Sequence, residues 1–252
     1  MNKAALIIVF EYKNSNIKHL PAAKEDLKNT HDICSKKFKI PDDKIFVITD
    51  IDSNISSIDR FFMSLKKILP LLTKELFIYI SCHGKRGRYI LFLDNNERIK
   101  IKQKTVLKCI LTGNLNNIEI KKDDGTIMIK NYGSHFKSVS EKCLLIIDIC
   151  YAGTILPYVY EENRMIKLED DIYNGNIICM SSSSWDEKSI ASTKNGSIFS
   201  NYVYMILNKE YISLSLKEFI KIFNGSKPEI LKKISPMFSS NSSDINIKIP
   251  FV

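Results

Sequence analysis

Short apolar runs alternate along the chain with stretches whose apolar residues return at every third or fourth position. Residues 5–10 (ALIIVF), 45–48, 76–80, 144–147 and 176–180 are apolar runs of strand length, the pattern of strands covered on both faces. Pro21 opens a helix that carries Ala23, Leu27, Cys34 and Phe38 on one side. Ile58, Phe61, Phe62, Leu65 and Leu69 give a second helix its buried stripe, with Ser56 and Asp59 as a capping box at its start and Pro70 at its end. Towards the C-terminus, Phe199, Val203, Ile206 and Leu207 predict a helix. Leu216, Phe219, Ile220 and Phe223 predict another, and Pro228 opens a short third. Strand and helix alternate from the start, so the fold class is α/β: a three-layer α-β-α sandwich with a mostly parallel central sheet.

Some stretches depart from that rhythm. Residues 89–93 read as a strand or hairpin arm, and 103–111 as a short helix. In 117–130, Asp124-Gly125 stands between alternating apolar residues, a strong hairpin signal, so a β insertion is predicted near 118–130 beside the core sheet. A short helix is expected around 136–139. Residues 154–175 hold Glu161, Glu162, Arg164, Lys167, Glu169, Asp170 and Asp171 and are expected to form a charged, mobile loop. The last eight residues, INIKIPFV, suggest an edge strand because of Pro250. No repeat or linker breaks the chain, so residues 1–252 are expected to form one domain without a prodomain.

Composition narrows the class. Hydrophobic residues make up 44% of the 252 positions and charged ones 26%, as in ordinary globular proteins. No apolar run is long enough to span a membrane, and no cleavable leader precedes the first strand, so the expected address is cytoplasmic and no membrane partner is expected. The net charge of +9 raises a nucleic-acid reading. The lysines are scattered singly rather than massed with aromatics, which favours a solvated basic surface and no nucleic-acid partner. The six cysteines, Cys34, Cys82, Cys109, Cys143, Cys150 and Cys179, form no CxxC pair and read as reduced thiols.

The candidate chemistry lies where two of the apolar runs end. The run at 76–80 leads into Ser81, Cys82, His83 and Gly84, and the run at 144–147 into Asp148, Cys150 and Gly153. In open α/β sheets the sites form outside the carboxyl ends of the strands. A thiol becomes a good nucleophile beside a base, and imidazole suits that task near neutral pH. Period-two alternation puts Asp148 on the same side as Cys150, about 6–7 Å away along the strand. A carboxylate one step below a nucleophile suits the floor of a pocket for a cationic side chain.

These stretches resemble the caspase-like cysteine peptidases, and among them the metacaspases and their bacterial relatives. FIYISCHG is similar to the strand that carries the family's catalytic His-Gly, and LLIIDICYAG to the strand that carries Asp-x-Cys. ALIIVFEY with LPAAKEDL resembles the first strand, loop and helix opening. CMSSSSWDEKSI followed by GSIF resembles the strand, specificity loop and next helix start, and SPMFSSNSSDINIKIPFV the chain ending.

The resemblance implies a caspase-like fold and a peptidase in which Cys150 is the nucleophile, His83 the imidazole, and the N–H groups of Gly84 and Cys150 the oxyanion donors. It implies that Asp148 selects Arg or Lys before the scissile bond, and that Ser181 and Asp186 line the substrate groove. Tyr151 stands where caspases carry an arginine, and Cys82 where the family more often has glycine. Calcium, required by many metacaspases, finds candidate ligands in Asp123, Asp124, Glu169, Asp170 and Asp171, although none has calcium-loop spacing. Arg164 and Lys167 are candidate self-cleavage points. The expected partners are proteins or peptides with basic residues, acted on by a monomer. Competing readings are a catalytically silent interaction module of the same fold and a peptidase of another preference, such as cleavage after Asn.

Overall fold

The computed structural model describes residues 3–13, 15–51, 57–72, 74–94, 97–134, 141–153, 156–161, 164–168, 175–192, 194–209 and 213–251. The chain begins with β1 (Lys3–Val9), α1 (Ala23–Asp32), β2 (Ile45–Thr49), α2 (Ser57–Ile68) and β3 (Glu75–Cys82). It continues through β4 (Gly84–Lys85), β5 (Tyr89–Asp94), β6 (Glu97–Lys102), α3 (Gln103–Thr112), β7 (Ile118–Lys122) and β8 (Ile127–Lys130). The second half holds β9 (Lys142–Ile149), β10 (Tyr158–Glu161), β11 (Arg164–Lys167), β12 (Asn176–Ser181), β13 (Ala191–Ser192) and β14 (Gly196–Ser197). It closes with α4 (Ile198–Leu207), α5 (Leu216–Ser226) and β15 (Met237–Ser240).

The main sheet has eight strands in the order β11-β10-β15-β12-β9-β3-β1-β2. Its centre, from β12 to β2, is parallel, and β15, β10 and β11 add on antiparallel. Alternation along the strands divides the core. Leu6, Ile8, Ile78, Ile80, Leu145 and Ile147 face α2 and the second sheet, while Ile7, Val9, Phe77, Tyr79, Leu144 and Ile146 pack under α1, α4 and α5. Both faces of the central strands are therefore covered, which explains why those runs lack polar positions. The second sheet, β4-β5-β6-β7-β8, is antiparallel and shares the α2-side core through Ile90, Phe92, Ile99 and Ile120. Among the described residues no helix is long and apolar enough to cross a membrane.

The predicted hairpin at 118–130 is present as β7 and β8. Gly125 adopts φ +94°, and the Thr126 N–H donates to Asp124 Oδ1 at 2.8 Å. Three expectations need correction. Part of the expected loop at 154–175 is an antiparallel hairpin, β10 with β11, extending the sheet edge; Val159 is buried there, so the charges sit on the outward positions. The last residues form no strand. The last strand of the chain is β15, inside the sheet between β10 and β12, and the tail bonds the start of α5, with the Leu216 N–H donating to the Ile247 carbonyl at 2.9 Å and the Ile249 N–H to the Leu214 carbonyl at 2.9 Å. Strand β6 was not foreseen: its alternation puts only Ile99 and Ile101 inside, too weak a signal to separate from a loop. The expected helix at 136–139, Ser56 of the expected capping box, and Glu162, Glu169, Asp170 and Asp171 lie outside the described residues.

Candidate active site

Parallel pairing of β3 with β9 aligns Ser81 with Asp148 and Cys82 with Ile149. His83 and Cys150 are the next residues of the two strands, so both leave the sheet side by side at its carboxyl edge. Gly84 seals this junction. A Cβ at that position would overlap the carbonyl oxygen of Cys150, so only glycine lets the two strand ends approach this closely.

The loop after β1 holds the imidazole. Asp50, which follows β2, accepts the N–H groups of Glu11 at 2.5 Å and Tyr12 at 2.9 Å. Tyr12, at φ +59°, then stacks its ring on His83 with centroids 5.1 Å apart and donates its hydroxyl to the Leu91 carbonyl at 2.9 Å. His83 Nε2 lies 2.6 Å from the Lys18 carbonyl oxygen. A carbonyl only accepts, so Nε2 carries the hydrogen and Nδ1 is the basic nitrogen. Burial lowers the imidazole's pKa below its ordinary 6.5 and Lys18 adds to this, while the carbonyl bond opposes both.

Cys150 begins a sharp turn. Tyr151 has φ +58° and Gly153 φ +60°, and the turn is tied down by the loop after β12. The Tyr151 N–H donates to the Glu187 carbonyl at 2.7 Å, the Gly153 N–H to the Ser183 carbonyl at 3.0 Å, and the Ser183 hydroxyl to the Ile149 carbonyl at 3.0 Å. Burial pushes the Cys150 thiol above its ordinary 9.0, opposed in part by the Ser189 N–H, with Asp148 raising it further and Lys188 lowering it. Cys150 is partly exposed, whereas the other five cysteines are buried. Among the described residues no hydrogen bond joins the His83 ring to Cys150.

Asp148 projects to the α1/α4 side of β9 and is 7% exposed. Hydroxyls hold it: Ser189 donates to Oδ1 at 2.8 Å, and Ser197 and Ser200, the latter at 2.5 Å, donate to Oδ2. A second carboxylate lies beside it. Asp26, in the first turn of α1 and 3% exposed, accepts the Ser81 hydroxyl at 2.8 Å and the Ser197 N–H at 2.5 Å. Ser197 thus bridges the two acids, its N–H on one and its hydroxyl on the other. Burial first and the charge of Asp148 second raise the Asp26 pKa from 3.8 to about 7.

The remaining predicted residues are placed elsewhere. Ser181 is fully buried, with its Oγ 3.6 Å from Cys179 Sγ on the face of β12 away from Asp148. Asp186 is exposed in the loop after β12 and accepts the Ser184 hydroxyl at 2.6 Å. Arg164 and Lys167 are exposed at the two ends of edge strand β11. Asp123 does not fit a calcium ligand: Lys100 at 2.7 Å, Arg98 at 3.2 Å and Lys85 at 3.7 Å already surround it. No metal-binding group of three or more His, Cys, Asp or Glu side chains occurs among the described residues. Tyr12, the Lys18 carbonyl, Asp26, Ser189, Ser197 and Ser200 were missed in the sequence. Only Asp26 carried a signal, as an acid in the helix opening LPAAKEDL.

No family model and no curated protein matches the chain. Among solved structures, the crystal structure of caspase-1 from Spodoptera frugiperda is similar, with a TM-score of 0.58 over 99% of this chain and 89% of that one at 14% identity. The chain has the caspase-like three-layer sandwich.

Proposed function

We propose that the protein is a cysteine endopeptidase that cleaves after Arg or Lys. The observation that carries the reading is the placement of His83 and Cys150 at neighbouring strand ends, with Gly84 packed against the Cys150 carbonyl. Because Nε2–H is held by the Lys18 carbonyl, Nδ1 takes the thiol proton. The sulfur then adds to the scissile carbonyl carbon, and the N–H groups of Gly84 and Cys150 receive the oxyanion, such a donor being worth about 3 kcal/mol in the transition state. Nδ1–H next protonates the departing amine, leaving a thioester. A water, giving its proton to Nδ1, hydrolyses the thioester and regenerates the thiol. Asp148, with Asp26 beside it, accepts the guanidinium or ammonium group of the residue before the scissile bond. Self-processing at Arg164 or Lys167 requires β11 to leave the sheet edge, because a substrate binds as unpaired extended chain.

A second reading, a silent interaction module of the same fold, is favoured by one observation: the His83 ring and Cys150 are not hydrogen-bonded to each other. Catalytic hydrogen bonds often tighten only when substrate is bound, so the two readings separate by assay. A peptide panel with Arg, Lys, Asp or Asn before the scissile bond, with and without added calcium, should show hydrolysis after Arg and Lys that Cys150→Ala and His83→Ala abolish. Equal turnover by Cys150→Ala ends the enzyme reading. Asp148→Asn should lower turnover of the basic substrates by about 10- to 100-fold, the worth of a charge-assisted hydrogen bond, and of neutral ones far less. An unchanged preference removes Asp148 from substrate selection.

A further inference from the structure

The hairpin insertion ends the second sheet, and among the described residues its outer strand β8 pairs with β7 alone. Alternation divides the side chains of β8. Met128 turns inward and packs against the α2-side core, and Lys130 reaches Asp59 at 3.2 Å and Asp94 at 3.3 Å. Ile127 and Ile129 stand on the outer face, 57% and 54% exposed, the two most exposed large apolar side chains among the described residues. Threonine has the same preference for strands, so forming the hairpin does not itself require isoleucine at these two places.

The turn fixes which backbone groups face outward. The Lys122 N–H donates to the Thr126 carbonyl at 2.8 Å, so Thr126, Met128 and Lys130 direct their N–H and C=O groups to β7, while Ile127 and Ile129 direct theirs away from it. The same two residues thus present the open ladder edge and the exposed apolar side chains. Natural edge strands are blunted by a proline, a bulge or a charge. The run Ile127-Met128-Ile129 carries no proline or charge, and the lysine that follows it is held by Asp59 and Asp94.

An edge that takes up foreign peptides selects them through pockets for alternate side chains, whereas these isoleucines project from the surface. A second β8 fits them. With two copies antiparallel about Met128, Ile127 of each stands opposite Ile129 of the other, each pair exchanging two hydrogen bonds, and the isoleucines of both copies gather on one face. The charges on β7 agree with this register. Glu119 lies beside Ile129 and Lys121 beside Ile127, so each cross-strand row begins on a glutamate of one copy and ends on a lysine of the other; parallel pairing would set like charges at both ends. We infer that the protein self-associates through β8 as a two-fold dimer, in which the second sheets of two copies become one continuous sheet. This does not depend on the peptidase reading. With four residues per strand the contact lies at the small end of interface sizes, and the net charge of +9 on each copy opposes it. The dimer is therefore weak and reversible, and the monomer expected from the sequence prevails in dilute solution.

Full-length Cys150→Ala protein, whose remaining cysteines are buried, should pass reversibly from monomer to dimer in analytical ultracentrifugation between about 5 and 500 μM. Adding Ile127→Lys/Ile129→Lys should hold it monomeric. Met63→Lys/Leu71→Lys, the same change at exposed apolar positions elsewhere, should leave the dimer as it was. Cysteine pairing then reads the register. Across the two-fold axis, positions 127 and 129 have Cα atoms about 5.5 Å apart, within disulfide reach, whereas position 127 and its own copy are about 7–8 Å apart, at or past the limit. In the Cys150→Ala background, mild oxidation of a mixture of Ile127→Cys and Ile129→Cys proteins should give about threefold or more the linked dimer that either gives alone. A monomer throughout the concentration range, the result expected if a foreign extended segment occupies the edge, overturns the dimer. So does a dimer that survives Ile127→Lys/Ile129→Lys, an equal loss in the Met63→Lys/Leu71→Lys control, or linkage as strong in the separate proteins as in the mixture.

Discussion

Cys150 and His83 are both held towards their neutral forms. The thiol is raised above 9.0 and the imidazole lowered below 6.5, in each case chiefly by burial. Both shifts favour a thiol beside a neutral imidazole over a thiolate-imidazolium pair, and under the proposed peptidase reading the proton moves when substrate brings the groups together. Alkylation of Cys150 by iodoacetamide, located by mass spectrometry, should accordingly rise with pH through and beyond 9.0. A rate already at its plateau near pH 7 would show a preformed ion pair and contradict the assignment. Sequence made these two residues and Asp148 legible because each follows directly from a buried run. It could not disclose Tyr12 or the Lys18 carbonyl, whose parts depend on a polar loop folding back over β3 and on Asp50 holding that loop in place.

The elements meet closely at the ends of β3 and β9. Gly84 is where the second sheet starts and where it packs against the Cys150 carbonyl, so its lack of a side chain serves both. Gly84→Ala should destabilise the fold by about 1–3 kcal/mol in urea unfolding, the usual cost of overpacking, and should also remove the proposed peptidase activity, because relief of the overlap must displace Cys150. Full stability in that variant would mean that the strand ends separate more easily than the packing indicates. The central strands were readable because burial on both faces leaves one unmistakable pattern. The short outer strands β6, β10, β11 and β15 were not, since a strand with one solvated or shared face carries only two or three apolar residues, and pairing rather than composition makes it a strand. The same rule misled at the C-terminus: alternation in INIKI suits an edge strand, but the tail bonds the start of α5 instead.

Across the whole molecule, the Asp26 and Asp148 pair links α1, β9, β14 and the start of α4 at the carboxyl edge of the sheet. Folding raises the Asp26 pKa from 3.8 to about 7, so between those values the folded state binds more protons than the unfolded one. Asp26's contribution is complete below pH 3.8 and is lost as pH rises through about 7, a change of up to about 4 kcal/mol. Asp26→Asn keeps the shape without the charge. Its stability relative to wild type should increase from pH 5 to pH 8 in urea unfolding, and a difference that stays constant over this range would show that Asp26 is not held protonated.

By itself the sequence determined the layered α/β architecture and the hairpin insertion and singled out the candidate reactive groups, because these follow from local periodicity and from which residues end buried runs. Only the tertiary structure decided the partners: which nitrogen of His83 is free, which second acid stands beside Asp148, and which strand is left at the edge of the second sheet. Those depend on distances between segments far apart in the chain. Burial and desolvation act through such distances, and no linear pattern encodes them.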